Sequence, residues 1–269
     1  MQSFDQLDDE LDQWAAAGRA VSLWWRDDDA AAATPQLTRL VGAARRHRLP
    51  LAIAAVPATM QPDLVGALSA PGITVLQHGY AHTNHAGEGK RAVECGGERP
   101  VKEVLAELSD GMRILMREFG ASFMPFLVPP WNRIDPAVAA MLSQQGFFGL
   151  SSFGPRHYGG TGGEGSTEDA PLVMPPRCVA INAHLDLLTW KGGASFAGAE
   201  KVIRLFAERL QDRRLGRTDP DEPFGILTHH LDHDEATWSF LERLLGRLGS
   251  HPAIRFQPIG MLLTDSKVR

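Results

Sequence analysis

Residues 23–30, LWWRDDDA, decide how this chain is read. An apolar run ending in two tryptophans has the composition of a buried strand, and three adjacent aspartates follow where that strand is predicted to end. Like charges this close repel, and burying them is costly unless something positive compensates. Either water solvates the triplet or a cation sits beside it.

Outward from this stretch the same alternation recurs. Apolar runs of strand length fall at Val21–Arg26, Leu51–Val56, Ile73–Gln77, Phe123–Val128, Phe147–Ser151, Val179–Leu185, Phe224–Thr228 and Ile254–Phe256. Between them, apolar residues recur at helical spacing, as in Leu37/Leu40/Val41/Ala44, Val104/Leu108/Met112/Leu115/Phe119, Val138/Met141/Leu142, Val202/Leu205/Phe206 and Trp238/Leu241/Leu245/Leu248. Thr34-Pro35 and Asp135-Pro136 mark two helix starts as a cap followed by proline at the first helical position. Strands alternating with helices to the end of the chain predict one α/β domain over residues 1–269, a closed parallel barrel rather than an open doubly wound sheet. No GxGxxG follows the first strand, which counts against dinucleotide binding. Residues 86–100 and 154–171, rich in glycine and charge, read as long loops.

Composition narrows the function classes. With 43% apolar and 22% charged residues among 269, the chain is that of a folded soluble protein. A net charge of −5 and scattered arginines give no electrostatic case for nucleic acid. Cys95 and Cys178 lack CxxC spacing, so neither a zinc knuckle nor a disulfide framework is indicated. The acidic, amphipathic N-terminal segment has no secretory pattern, so a cytoplasmic protein is expected. The longest apolar stretch, residues 49–58, is about half of the ~20 residues a membrane span requires. The oligomeric state is left open.

In a parallel barrel, functional groups come from the carboxyl ends of strands. The unusual polar residues cluster at those ends: Asp27, Asp28 and Asp29; His78, His82 and His85; Pro129 to Asn132; His184 and Asp186; His229 and His230. His78 and His82, three residues apart between them, can aim two imidazoles at one point. Alone, that spacing also suits two solvated or core histidines, but a carboxylate at a neighbouring strand end supplies the third, oxygen ligand. A divalent cation beside the triplet then offsets the repulsion, fixes one aspartate as ligand and leaves another to take a proton from water. A solvated helix start is the other reading of the triplet, and Asp27 is the aspartate assigned a structural role.

This arrangement resembles the polysaccharide deacetylases, carbohydrate esterase family 4, and the deacetylase-like proteins around them. DDDA (27–30) matches the family's first motif, HGYAH (78–82) the second and LTH (227–229) the fifth, in the family's order from residue 20 to about 260. The resemblance implies a distorted (β/α) barrel of seven or eight strands, Asp28 as catalytic base, Asp29, His78 and His82 as metal ligands, and His229 as general acid. Two motifs depart from the pattern. Val128 stands where the third carries an arginine, with Arg26 or Arg133 as candidate substitutes, and HLDLLTW (184–190) keeps only the acidic and tryptophan character of the fourth. His230, next to His229, competes for the acid's place, since neighbours on a strand point opposite ways.

The implied chemistry is removal of an acyl group from an N-acetylated sugar or related amide. The ligand set suits Zn²⁺, and Co²⁺, Ni²⁺, Mn²⁺ or Fe²⁺ would fit the same donors. Tyr80, Pro130, Trp131, Asn132 and His230 are candidate contacts for a small-molecule or saccharide substrate, with Trp24, Trp25 and Trp190 further candidates for stacking. At least one of Trp24 and Trp25 must instead belong to the core. Two rivals remain: hydrolysis of another non-peptide C–N bond, such as a cyclic amide or ureide, and a catalytically silent carbohydrate-binding barrel.

Overall fold

In the computed structural model, which describes residues 4–156 and 174–267, the strand that opens at Val21 does not stop at the aspartates. It continues to Ala30 as β1 (Val21–Ala30), because the side chains of Asp27 and Asp28 find partners inside the protein. The other strands are β2 (Leu51–Ala55), β3 (Ile73–His78), β4 (Phe123–Val128), β5 (Gly149–Leu150), β6 (Val179–Ala180), β7 (Ala183–Asp186), β8 (Leu188–Thr189), β9 (Ser195–Phe196), β10 (Phe224–Thr228) and β11 (Ile254–Phe256). The helices are α1 (Asp5–Ala16), α2 (Pro35–His47), α3 (Asp63–Ala67), α4 (Val101–Phe119), α5 (Pro136–Ala139), α6 (Ala199–Arg214), α7 (Glu235–Ser250) and α8 (Ile259–Lys267). Thr34 and Asp135 cap α2 and α5 as expected, each side chain accepting a backbone N–H.

The main sheet runs β6-β5-β4-β3-β2-β1-β10-β7, all parallel, with β11 beside the start of β1. The single strand predicted over Val179–Leu185 is divided at Ile181-Asn182 into β6 and β7, the two ends of that order. Val179 and Ala180 pair with Gly149 and Leu150, and Ala183 bridges Phe153 on the same run of chain while also pairing with Gly225 of β10. The curled sheet therefore meets itself along residues 179–186. This is the predicted parallel (β/α) barrel, distorted where β5 and β6 are only two residues long.

Alternation along the strands sorts the core into two layers. Leu23 and Trp25 join Ile53, Val75 and Leu127 in a large cluster with the helices, whereas Trp24 joins Ala52, Ala54, Leu76, Phe126 and Val128 inside the barrel. Both tryptophans are buried, so neither is a stacking platform. Ile259, Leu262 and Leu263 of α8 pack into the inner cluster beside Trp24 and Ala52, near the strand starts. A side chain at Gly149 would meet Phe126, its Cβ 2.0 Å from the ring, so the small residue makes room for the large one.

Among the described residues no helix is long and apolar enough to cross a membrane. Both cysteines are free and buried. Most of the predicted loop 154–171 lies outside the described residues, while 86–100 forms an irregular segment pinned by a bridge between Cys95 and Ile134.

Candidate active site

The three aspartates are separated by a register shift in β1. Asp27 lies opposite Ile53 and Ala30 opposite Ala55, so three steps of β1 match two of β2. The extra residue is absorbed by Asp29, whose φ of +71° is left-handed. Each carboxylate then meets a different partner, which answers the repulsion.

Asp27 turns into the wall. Its Oδ1 lies 2.5 Å from His230 Nδ1, and its Oδ2 accepts from the Thr228 hydroxyl at 2.7 Å and the His230 backbone N–H at 3.1 Å. Burial disfavours charge on His230, but the adjacent Asp27 carboxylate outweighs it and raises the imidazole pKa. The structural role expected for Asp27 is what the geometry shows. His230 is buried and committed to Asp27, which corrects its reading as a substrate contact.

Asp28 continues the inward-facing series of Trp24 and Arg26, and Arg26 holds it. Arg26 Nη2 donates to Asp28 Oδ2 at 3.0 Å, and Nε lies 2.9 Å from Oδ1, with both side chains buried. The guanidinium also donates to Ser151 Oγ at 2.6 Å and Asn132 Oδ1 at 2.6 Å. Val128 carries no charge, and the arginine that contacts Asp28 is Arg26, on β1 itself. Arg133, the other candidate, donates to the Ala92 carbonyl at 2.8 Å. Ser151 carried no signal in the sequence.

Asp29 meets the histidines. Its Oδ1 lies 3.0 Å from His78 Nε2 and 3.2 Å from His82 Nε2, and the three candidate ligand atoms all lie within 4.8 Å of one another. His78 Nδ1 faces the Val128 carbonyl at 2.9 Å, and a carbonyl only accepts, so Nδ1 carries the proton and Nε2 of the neutral ring presents its lone pair to Asp29. A lone pair set against a carboxylate oxygen is unfavourable without a cation or an extra proton between them. The donor set therefore fits a divalent metal. Without one, burial pushes the Asp29 carboxyl up, yet hydrogen bonds from both histidines prevail and hold it far below the usual carboxylate range. Burial likewise opposes charge on His78, and its bond to Asp29 prevails and raises its pKa.

Across from Asp28 stands His229, its Nε2 4.0 Å from Asp28 Oδ2 and its Nδ1 3.8 Å from Asp186 Oδ1. These distances are too long for hydrogen bonds and leave a gap between the Asp28 carboxylate and the imidazole. Asp186 also accepts from Trp190 Nε1 at 2.8 Å, and the Trp190 ring meets His229 edge-on at 4.7 Å. HLDLLTW (184–190) thus places Asp186 and Trp190 beside His229. Burial raises the Asp186 pKa, partly countered by His229. His184 does not join them: it is buried against Glu222 at 3.1 Å. His85 is outside the three-residue ligand cluster as well.

Trp131 lies 4.5 Å from the His82 ring, beside the ligands, and Asn132 spends its carbonyl oxygen on Arg26. Pro130 is buried against Gly79, and Tyr80 is half-buried. Asp29, His82, Trp131 and Asn132 all have positive φ without being glycine, a concentration of backbone strain typical of functional sites. A cavity of about 530 Å³ opens beside them, lined by Trp131, Asn132, Phe153, Asp186 and Trp190.

No family model and no curated protein matches the chain by sequence. Solved structures do match. A protein from Mycobacterium smegmatis assigned as a polysaccharide deacetylase superimposes with a TM-score of 0.66 at 14% identity, over 93% of this chain and 91% of that one. The chain has the fold of the polysaccharide deacetylases. A family 4 acetyl xylan esterase from Clostridium thermocellum, solved with a cobalt ion, shares this deacetylase fold with a TM-score of 0.57 at 13% identity, covering 92% and 93% of the two chains. The peptidoglycan deacetylase PdaC from Bacillus subtilis gives 0.53 at 13% identity, over 93% and 94%.

Proposed function

We propose that the chain is a metal-dependent hydrolase of a non-peptide carbon–nitrogen bond, removing an acetyl group from an N-acetylated sugar or a related amide. The observation that carries this reading is the convergence of Asp29, His78 and His82 on one point, with Asp28 and His229 flanking it. The cobalt ion of the xylan esterase relative supports a metal in this fold. Two imidazoles and one carboxylate suit zinc first, with cobalt, nickel, manganese or iron as alternatives.

Asp29, His78 and His82 would hold the cation, which when bound polarises an acyl oxygen and makes a nearby water more acidic. Asp28, oriented by Arg26, takes the proton from that water as it attacks the acyl carbon. His229 sits on the far side of the gap, where it gives a proton to the departing nitrogen. Asp186 lies 3.8 Å from His229 Nδ1 and, through Trp190, limits the movement of the ring. Trp131 and Trp190, which both line the cavity, offer apolar faces to a sugar ring. Arg26 beside Asp28 counts against a silent barrel, because an arginine orients the carboxylate although Val128 supplies none.

The test is metal content together with acetate release. Wild type loaded with Zn²⁺ or Co²⁺ should hydrolyse an N-acetyl sugar panel and Asp28→Asn should not; bound metal with no turnover on any N-acyl or cyclic amide substrate, in both proteins alike, refutes the reading.

A further inference from the structure

One carboxylate in the irregular segment 86–100 belongs to the site's construction. Glu94 is 2% exposed and lies behind the turn that joins the two imidazoles. Its Oε1 accepts the backbone N–H groups of Ala81 at 2.7 Å and Thr83 at 3.3 Å, and its Oε2 accepts that of Tyr80 at 3.0 Å. All three recorded hydrogen bonds to Glu94 come from backbone N–H groups, so peptide dipoles are aimed at this carboxylate.

The turn is shaped to admit this carboxylate. A Cβ at Gly79 would lie 1.8 Å from Glu94 Oε2 and 2.6 Å from Pro130 Cδ, and Gly79 has φ of +53°. Only glycine tolerates both the conformation and the approach. Three residues on, His82 is itself left-handed, with φ of +55°. The two ligands differ in what holds them. His78 ends a strand and is fixed by the Val128 carbonyl, whereas the His82 ring touches only Asp29, His78 and Trp131 among its recorded partners. With the carboxylate gone, three N–H groups lose their acceptor, and the strain at His82 loses what sustains it.

We propose that Glu94 is a positioning residue: by gathering the N–H groups of Tyr80, Ala81 and Thr83 it fixes the left-handed turn that brings His82 to the point shared with Asp29 and His78. This rests on the metal site of the proposed function, and Glu94 acts on it through the backbone rather than as a ligand.

Full-length wild type, Glu94→Gln, Glu94→Ala and the control Glu98→Gln are titrated with Co²⁺ alone, reading the visible absorption of the bound ion and its affinity by chelator competition, with melting temperatures of the metal-free proteins alongside. Glu98 is exposed and pairs with Lys90 on the same segment. Glu94→Gln is expected to weaken binding about tenfold and Glu94→Ala about a hundredfold, with an altered spectrum, while Glu98→Gln matches wild type. Faster amide exchange at residues 80–83 in metal-free Glu94→Ala is the second expected sign. Should Glu94→Ala not fold, Glu94→Gln, which keeps the volume, decides. Wild-type affinity and spectrum in the Glu94 variants overturn the inference and leave the proposed function standing; a wild type that binds no cobalt overturns both.

Discussion

Arg26 and Asp28 form a buried ion pair two residues apart on the inner face of β1, with Nη2 donating to Oδ2 at 3.0 Å. Removing one partner strands the other's charge, and broken buried pairs cost about 3–5 kcal/mol. Arg26→Met is therefore expected to lower urea stability by that amount, and Arg26→Met/Asp28→Asn to recover a large part of it. Additive losses in the double variant would show that the two side chains do not depend on each other.

The metal and proton-transfer roles separate by variant. His78→Ala and His82→Ala are expected to lose bound metal and activity together. His229→Ala should bind metal as wild type does and lose about 10²–10⁴-fold in kcat. Metal analysis after dialysis, with acetate release on the same samples, reads both. Activity retained in all three contradicts the assignment.

Asp27 and Asp29 are distinguished by their partners. Asp27→Asn weakens the contacts to His230 and Thr228 and is expected to destabilise the fold by about 1–3 kcal/mol, with cobalt affinity within twofold of wild type. Asp29→Asn should do the reverse, losing metal with little change in melting temperature. Exchanged outcomes would move the ligand to Asp27.

Stability should peak near neutral pH. Burial lowers the pKa of His184 and of His233 to about 4. As pH falls from about 6.5 toward 4, the unfolded chain takes up these protons while the folded protein resists, so each histidine removes about 1.4 kcal/mol of stability per pH unit in that window. His230 has the opposite sign, since its raised folded pKa gives stability that is present below 6.5 and lost as pH rises above it. Urea midpoints at pH 5, 6.5 and 8 test this, and a His184→Gln variant with an unchanged acid limb would contradict it.

Much of this was legible in the sequence, for reasons that can be stated. Strand positions followed from apolar runs because a parallel barrel buries both strand faces, and β4, β10 and β11 begin and end where those runs do. The grouping of Asp29, His78 and His82 followed from histidine spacing and ordered motifs, since those depend on local chain geometry. What escaped depends on side chains meeting across the barrel. The register shift that divides Asp27, Asp28 and Asp29 leaves no mark in composition, and strand alternation alone could not send His230 to Asp27. β1 runs further than the sequence suggests because three adjacent acids read as a strand end, whereas Asp27 and Asp29 find partners 203 and 49 residues away and Asp28 finds one two residues back on the same strand. Val179–Leu185 read as one strand because Asn182, which interrupts it, is needed there as an acceptor for the Ser152 backbone N–H.

Arg26 and its aspartate are neighbours along the chain as well as in space, so Asp28 travels with its own counterion in one short peptide. Rearrangements of gene order would carry that unit whole. A version of this protein with its ends joined and new termini opened at the exposed tip around residues 89–91 keeps residues 26–30 uninterrupted, and a single-residue deletion inside them would disturb all three carboxylates at once.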